Sequence, residues 1–340
     1  MKTVKRILAF VLVLGVTASV FAGGAAQGGQ SSSGASAPKI VVTFAGTEAA
    51  TTGQSRAMQA MADKLNADGR FDAKVQVAGS LSGDTDAMVT QAKMGVPLVI
   101  PSDPGRLASQ FNIPDLNILM APYILTDPAV LPKLPDTALF KEWEANLQSQ
   151  GISFVADMYN GFRSFYTTTP VRTVADLRNL RIRGFGNNIG NSLAKYFGFA
   201  NIGIPWGEVF PGIQQRTLDG CEVQVATANG SAIYEVTKYL ALTKHYLLQS
   251  SFVCSTRLLD SMPADARAFF LKTIRDTVTE YSSIVAQEEE PFYDNMRKNG
   301  VTITEVDLKE WQDAIAPLYT NNDLQFTAGL KDRLFRELGL

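Results

Sequence analysis

Arg183 is the residue best equipped for chemistry. A guanidinium presents a planar fork of N–H donors that matches a carboxylate with two parallel, charge-assisted hydrogen bonds. Arg183 closes a short apolar-alternating run, 180–183, ahead of the loop GFGNNIG (184–190) and a helical pattern over 191–197. Strand, glycine-bearing turn and helix in that order suggest βα units on a largely parallel sheet. Such sheets bind ligands outside the carboxyl ends of their strands. Asp103 and Arg106 follow another buried run, 98–101. They are either a pair lining a cleft or a surface ion pair of small energetic weight. Trp206 and Phe210 open a later helix; they form either an aromatic pocket wall or core.

Other chemistries lack their parts. The loop at 184–190 has GxGxxxG spacing, but the first-βαβ context of a dinucleotide fingerprint is absent. The one histidine, His245, has no nucleophile motif such as GxSxG to serve. Two cysteines and one histidine cannot build a zinc-type site without carboxylates. Cys221 and Cys254 are either a disulfide or two buried thiols acting as small apolar groups. The expectation is a binding protein with no metal and no cofactor, not an enzyme.

The elements that must hold these residues follow from periodicity. Residues 39–44, 73–78 and 98–101 read as strands, separated by helical patterns at 55–65 and from Asp84. A helix over 140–151 precedes a strand at 152–158, and a further strand covers 249–256. Residues 261–299 form a long helical pattern that contains Pro291, which lacks an N–H and should kink it. A last helix is expected over 323–338. The 340 residues suffice for about two domains.

The amino terminus reads as an export signal. MKTVKR is basic, 7–21 is apolar, and Val20 and Ala22 supply small residues before a cleavage point. The apolar run is shorter than the ~20 residues that span a bilayer. Residues 1–22 are therefore expected to be a signal peptide, and the Gly/Ser/Ala-rich 23–37 a flexible tether. Removing Lys2, Lys5 and Arg6 leaves 28 basic against 33 acidic residues, a net charge of −5. That balance, without a basic block, argues against a nucleic-acid partner.

Several segments, in order, resemble one family. They are YNGFRSFYTTTPVRTVADL (159–177), DLRNLRIRGFGN (176–187), IPWGEVFPGIQQRTLDG (204–220) with Glu222, and IYEVTKYLALTKH (233–245). Together they resemble the extracytoplasmic solute receptors of tripartite ATP-independent periplasmic (TRAP) transporters. The resemblance implies a two-domain α/β fold of the type II periplasmic-binding-protein kind. It would have two mixed sheets flanked by helices, hinge strands and one long, kinked, domain-spanning helix. Domain I would be 38–160 plus 249–288, and domain II 161–248 plus 289–340.

The same resemblance implies roles. Arg183 would grip the ligand's carboxylate. Arg163 would assist it, or tie a hinge to backbone carbonyls. Asn187 would donate an amide N–H, or serve only as a turn residue. Asp103 and Arg106 match cleft-lining positions by count. Val223 and Phe44 stand where many relatives carry polar residues, which points to a monocarboxylate or keto acid with an apolar part. The implied partners are the small and large integral membrane subunits of a transporter, with the receptor a periplasmic monomer. A periplasmic sensor or scaffold for hydrophobic ligands is the alternative.

Overall fold

Strands and helices alternate from the first described residues. The computed structural model describes residues 38–340, and Pro38–Leu340 form one compact unit. The expected signal peptide and tether lie outside the described residues. The chain opens with β1 (Ile40–Ala45), α1 (Gly53–Asp68), β2 (Phe71–Gln76), α2 (Thr85–Lys93), β3 (Leu98–Ser102) and α3 (Pro104–Phe111). α1 turns Met58, Met61 and Leu65 inward at helical spacing. Gly69 ends it in the left-handed region, φ 87°, which costs a glycine little.

The second stretch runs through α4 (Ala138–Ser149), β4 (Ile152–Thr167), β5 (Arg181–Arg183), α5 (Asn188–Phe197), β6 (Ala200–Ile202) and β7 (Gly220–Gln224). β8 (Tyr239–Ser255), a long helix (Ala264–Lys298) and β9 (Thr302–Glu305) follow. The long helix spans 35 residues and passes through Pro291 as one helix. It buries Phe270, Ile274, Val278 and Val285. Arg56 of α1 pairs with its Glu288 at 2.5 Å, and Lys64 with its Glu280 at 2.9 Å.

Strand order is β2-β1-β3-β8-β4-β7-β5-β6, with β9 beside β8. β1 pairs in parallel with β2 and β3, and β5 pairs in parallel with β6 and β7. Between these parallel ends, β4 and β8 run antiparallel to each other along most of their lengths. The two mixed sheets expected from the sequence are therefore joined into one hydrogen-bonded, nine-stranded ladder. Both central strands are longer than expected, because Asn160-Gly161 is a bulge and not a stop. The register slips between Tyr159/Gln249 and Phe162/Leu247, and Gly161 takes φ 100° there. The final helix begins only at Leu330, after Gly329 in the left-handed region.

Candidate ligand-binding site

The bulge of β4, the carboxyl ends of β1, β3 and β5, and the middle of β8 meet at one cleft. Its inner chamber has a volume of about 80 Å³ and is lined by Glu48, Asn160, Arg163, Arg183, Gln224 and Gln249 among others. An adjoining outer chamber of about 280 Å³ shares Thr47, Thr85, Arg106, Arg183, Phe185 and Trp206 with it. Six of the site residues named from sequence (Asp103, Arg106, Arg163, Arg183, Trp206 and Val223) line the inner chamber. Asn187 lines the outer one.

Three guanidiniums converge there, and two are matched by carboxylates. Asp103 caps α3 by accepting the Arg106 N–H at 2.9 Å, and its other oxygen lies 2.9 Å from Arg106 Nε. Asp86 stands 3.5 Å from the same guanidinium. Arg163 is locked to Glu222: Nε to Oε2 at 2.5 Å and Nη2 to Oε1 at 2.8 Å, with a further bond to the Glu222 carbonyl. Arg163 Nη1 also donates to Gln224 Oε1 at 3.1 Å. Four of the five N–H groups of an arginine are thereby engaged, leaving one on Nη1. Burial alone would raise the Glu222 carboxyl, but Arg163 and His245 hold it down at about 2.

Arg183 differs. It is 6% exposed, yet among the described residues no carboxylate lies within salt-bridge distance of it. Its Nε donates to the Ile204 carbonyl at 3.3 Å, and its guanidinium lies over Trp206 at 5.3 Å. Burial, and then the nearby Arg163, press it down from the usual arginine range to about 10. A buried cation without a counter-ion is costly unless a partner arrives.

Polar atoms without partners among the described residues surround it. Glu48 Oε1 accepts from Asn160, Gln224 and Thr227 at 3.4, 3.1 and 2.9 Å, while Oε2 is buried and unbonded. Asn160 Oδ1, both amide atoms of Gln249 and Ser102 Oγ are likewise buried without partners. Asn187 caps α5 through Oδ1, which accepts the Gly190 N–H at 3.1 Å; its Nδ2 has no acceptor. Gly105 lets the β3–α3 turn approach this amide, since a Cβ there would stand 2.8 Å from Asn187 Nδ2.

The profile of the bacterial extracellular solute-binding proteins, family 7, matches residues 44–324. The chain belongs to that family. A curated relative, the 2,3-diketo-L-gulonate-binding periplasmic protein of Escherichia coli (strain K12), is 27% identical over 69% of this chain and 72% of its own. A solved TRAP periplasmic solute-binding protein from Ochrobacterium anthropi, with bound L-fuconate, superposes with TM-score 0.83. It is 25% identical and covers 88% of this chain and 100% of that one. A second, from Xanthobacter autotrophicus PY2 with bound β-D-galacturonate, gives TM-score 0.80 at 26% identity, covering 88% and 99%. The sequence resemblance to TRAP solute receptors therefore holds for this family 7 chain, and the fold is that of substrate-binding receptors.

Two residues named from sequence lie elsewhere. Phe44 is 0% exposed inside the core, because β1 is flanked on both edges there by Val75 and Val99. The chain reaches the cleft three residues later, at Thr47 and Glu48. Phe210 packs beside the cluster of Val209, Ile213 and Leu218 and lines neither chamber. The turn Trp206–Glu208 is a 3₁₀ turn, whose tighter winding breaks the i, i+4 alignment of Trp206 with Phe210.

Phe185 was missed. Its ring lies 4.4, 5.2 and 5.7 Å from the guanidiniums of Arg163, Arg106 and Arg183, within cation–π range of all three. Its place two residues after Arg183, in the loop that follows, was the available signal. Gln249 and Ser250 were also missed, although polar residues inside a buried strand announce a polar cavity. Cys221 and Cys254 are both buried free thiols. His245 is buried, its Nδ1 2.8 Å from Thr243 Oγ1 and its ring stacked on Phe165.

Proposed function

We propose that this chain is the periplasmic receptor of a TRAP transporter and captures a hydroxylated monocarboxylate in the cleft. The observation that carries the reading is Arg183, a buried guanidinium without an acidic partner among the described residues. One unmatched cation calls for one carboxylate. The spare N–H of Arg163 and Nδ2 of Asn187 stand ready as further donors, with Trp206 and Phe185 as flat walls.

The rest of the ligand follows from the lining. An apolar tail rested on Phe44 and Val223, but Phe44 belongs to the core. The inner chamber is lined mainly by Thr, Ser, Asn, Gln and Glu side chains. Hydroxyls on the ligand would give Glu48 Oε2, Asn160 Oδ1 and Gln249 the partners they lack. Sugar acids bound by the solved relatives have this chemistry.

In this reading, residues 38–160 plus 249–288 and 161–248 plus 289–340 are two lobes hinged at the β4–β8 crossing. The lobes close on the acid, and the closed form docks on the small and large membrane subunits as a monomer. Residues 1–22 export the chain. Binding, not catalysis, is the activity.

Differential scanning fluorimetry against aldonates, uronates, keto acids and dicarboxylates tests the reading. A hydroxylated monocarboxylate at about 100 times its Kd should add about 2.7 kcal/mol of stability. A panel in which only hydrophobic acids, or no acids, raise the melting temperature would overturn the assignment.

A further inference from the structure

A second cavity lies apart from the cleft, between α4, β4, the long helix and the proline-rich 3₁₀ segment Pro128–Asp136. Its volume is about 570 Å³, larger than either chamber of the cleft and in the range of small-molecule sites. Its walls are largely apolar: Leu131, Phe140, Phe154 and Val278 stand among the lining residues and are buried. Pro128, Pro132 and Pro135 form part of the rim.

The polar groups are few and uneven in charge. Asp136, Glu144 and Asp157 line the cavity against a single base, Arg275. Arg275 already donates through Nε to the Val155 carbonyl at 3.2 Å. Asp157 accepts the Ser251 hydroxyl at 2.6 Å on Oδ1. Its Oδ2 is buried and has no partner. A carboxylate oxygen held out of water beside an apolar wall, in a cavity of net negative charge, is complementary to an ammonium group on an apolar body.

We propose that this cavity is a second ligand site, for a small amphipathic amine, with the apolar body between α4 and the long helix and the ammonium on Asp157 Oδ2. The proposal is independent of what the cleft binds. Tyr159 lines this cavity and the next residue, Asn160, lines the cleft, so the two sites sit on one strand and are separate in their lining.

The test titrates the full chain at about pH 8.5, where Asp157 is ionised and the amine is still charged, with 2-phenylethylamine, and with 3-phenylpropionate as the oppositely charged isostere, by calorimetry. The amine should bind saturably at one site and the acid should not. Asp157→Asn removes the charge and should weaken the amine by about tenfold or more, the range for a lost charged hydrogen bond. Ala286→Trp fills the cavity from an exposed position on the long helix and should abolish binding while leaving the melting temperature and cleft-ligand affinity unchanged. Amine affinity unaltered by both substitutions, a lack of saturable binding in the unsubstituted chain, or equal affinity for the acid would each overturn the proposal.

Discussion

Replacing Arg183 by methionine keeps most of the apolar stem and removes the charge, so it separates a ligand grip from a structural arginine. The guanidinium is pressed down from the ordinary arginine range to about 10, by burial first and then by Arg163, with Arg106 adding to them and Glu222 opposing. That fall corresponds to roughly 3 kcal/mol against the charged form, at about 1.4 kcal/mol per pKa unit. The charge is therefore a burden to the empty protein and an asset only when a carboxylate arrives. Arg183→Met should raise the melting temperature of the ligand-free chain. The same substitution should weaken the acid identified in the fluorimetry panel by roughly 2–5 kcal/mol, the range for truncating one partner of a buried charge pair. Calorimetry reads the affinity and scanning fluorimetry the stability. Arg183→Lys should recover only part of the loss, since an ammonium lacks the two-pronged geometry. Unchanged affinity, or affinity lost together with stability, would refute the reasoning.

Arg163 should behave in the opposite way. Arg163→Met strands Glu222 in the core and should destabilise by roughly 3–5 kcal/mol in urea unfolding, whereas Arg163→Met with Glu222→Leu should recover most of it. The Glu222 carboxyl sits at about 2 against an ordinary 4.5, so its contribution is fully present above pH 4.5 and lost as pH falls toward 2. Glu222→Gln should flatten that limb of a stability–pH curve. Asp157 carries the reverse sign. Burial raises it to about 7 from 3.8, so the folded state holds the extra proton and stability falls as pH rises from about 4 to 7; Asp157→Asn should remove that slope in melts across the window. Gly105→Ala places a Cβ 2.8 Å from Asn187 Nδ2 and should lower acid affinity in calorimetry by displacing that amide from the cleft, with a smaller effect on the melting temperature.

The strands and helices were legible wherever one period dominated. The 3–4 spacing of Met58, Met61 and Leu65 marks α1, and the alternation before Arg183 marks β5. What stayed hidden depends on pairing across distance. Asn160-Gly161 looks like a break because a local reading cannot see that β8 supplies hydrogen bonds on both sides of the bulge. The partition of the three cleft arginines was equally invisible. Nothing around residue 163 shows that Glu222, 59 positions away, will occupy it. Phe44 was misplaced, and Phe210 was left open between cleft and core, for one reason: residue type says that an aromatic is inward, but not toward which interior.

The pairing pattern explains how one cleft can be both rigid and receptive. Asp103 fixes Arg106, and Glu222 fixes Arg163, so two of the three cations are held in place by the chain itself. Their positive charge is largely cancelled within the protein, which leaves Arg183 as the one guanidinium whose neutralisation is left to a guest. The Phe185 ring lies within cation–π range of all three without supplying a full negative charge. In the proposed closure, a ligand shifts the equilibrium only by its differential affinity for the closed form. The unmatched charge on Arg183 and the unmatched oxygens of Glu48 and Asn160 supply that difference. Without a guest, shutting the cleft would bury them further from water; with one, each gains a partner. An acid with a carboxylate but no hydroxyl would satisfy the first and leave the others bare. It should bind more weakly and drive less closure than its hydroxylated counterpart.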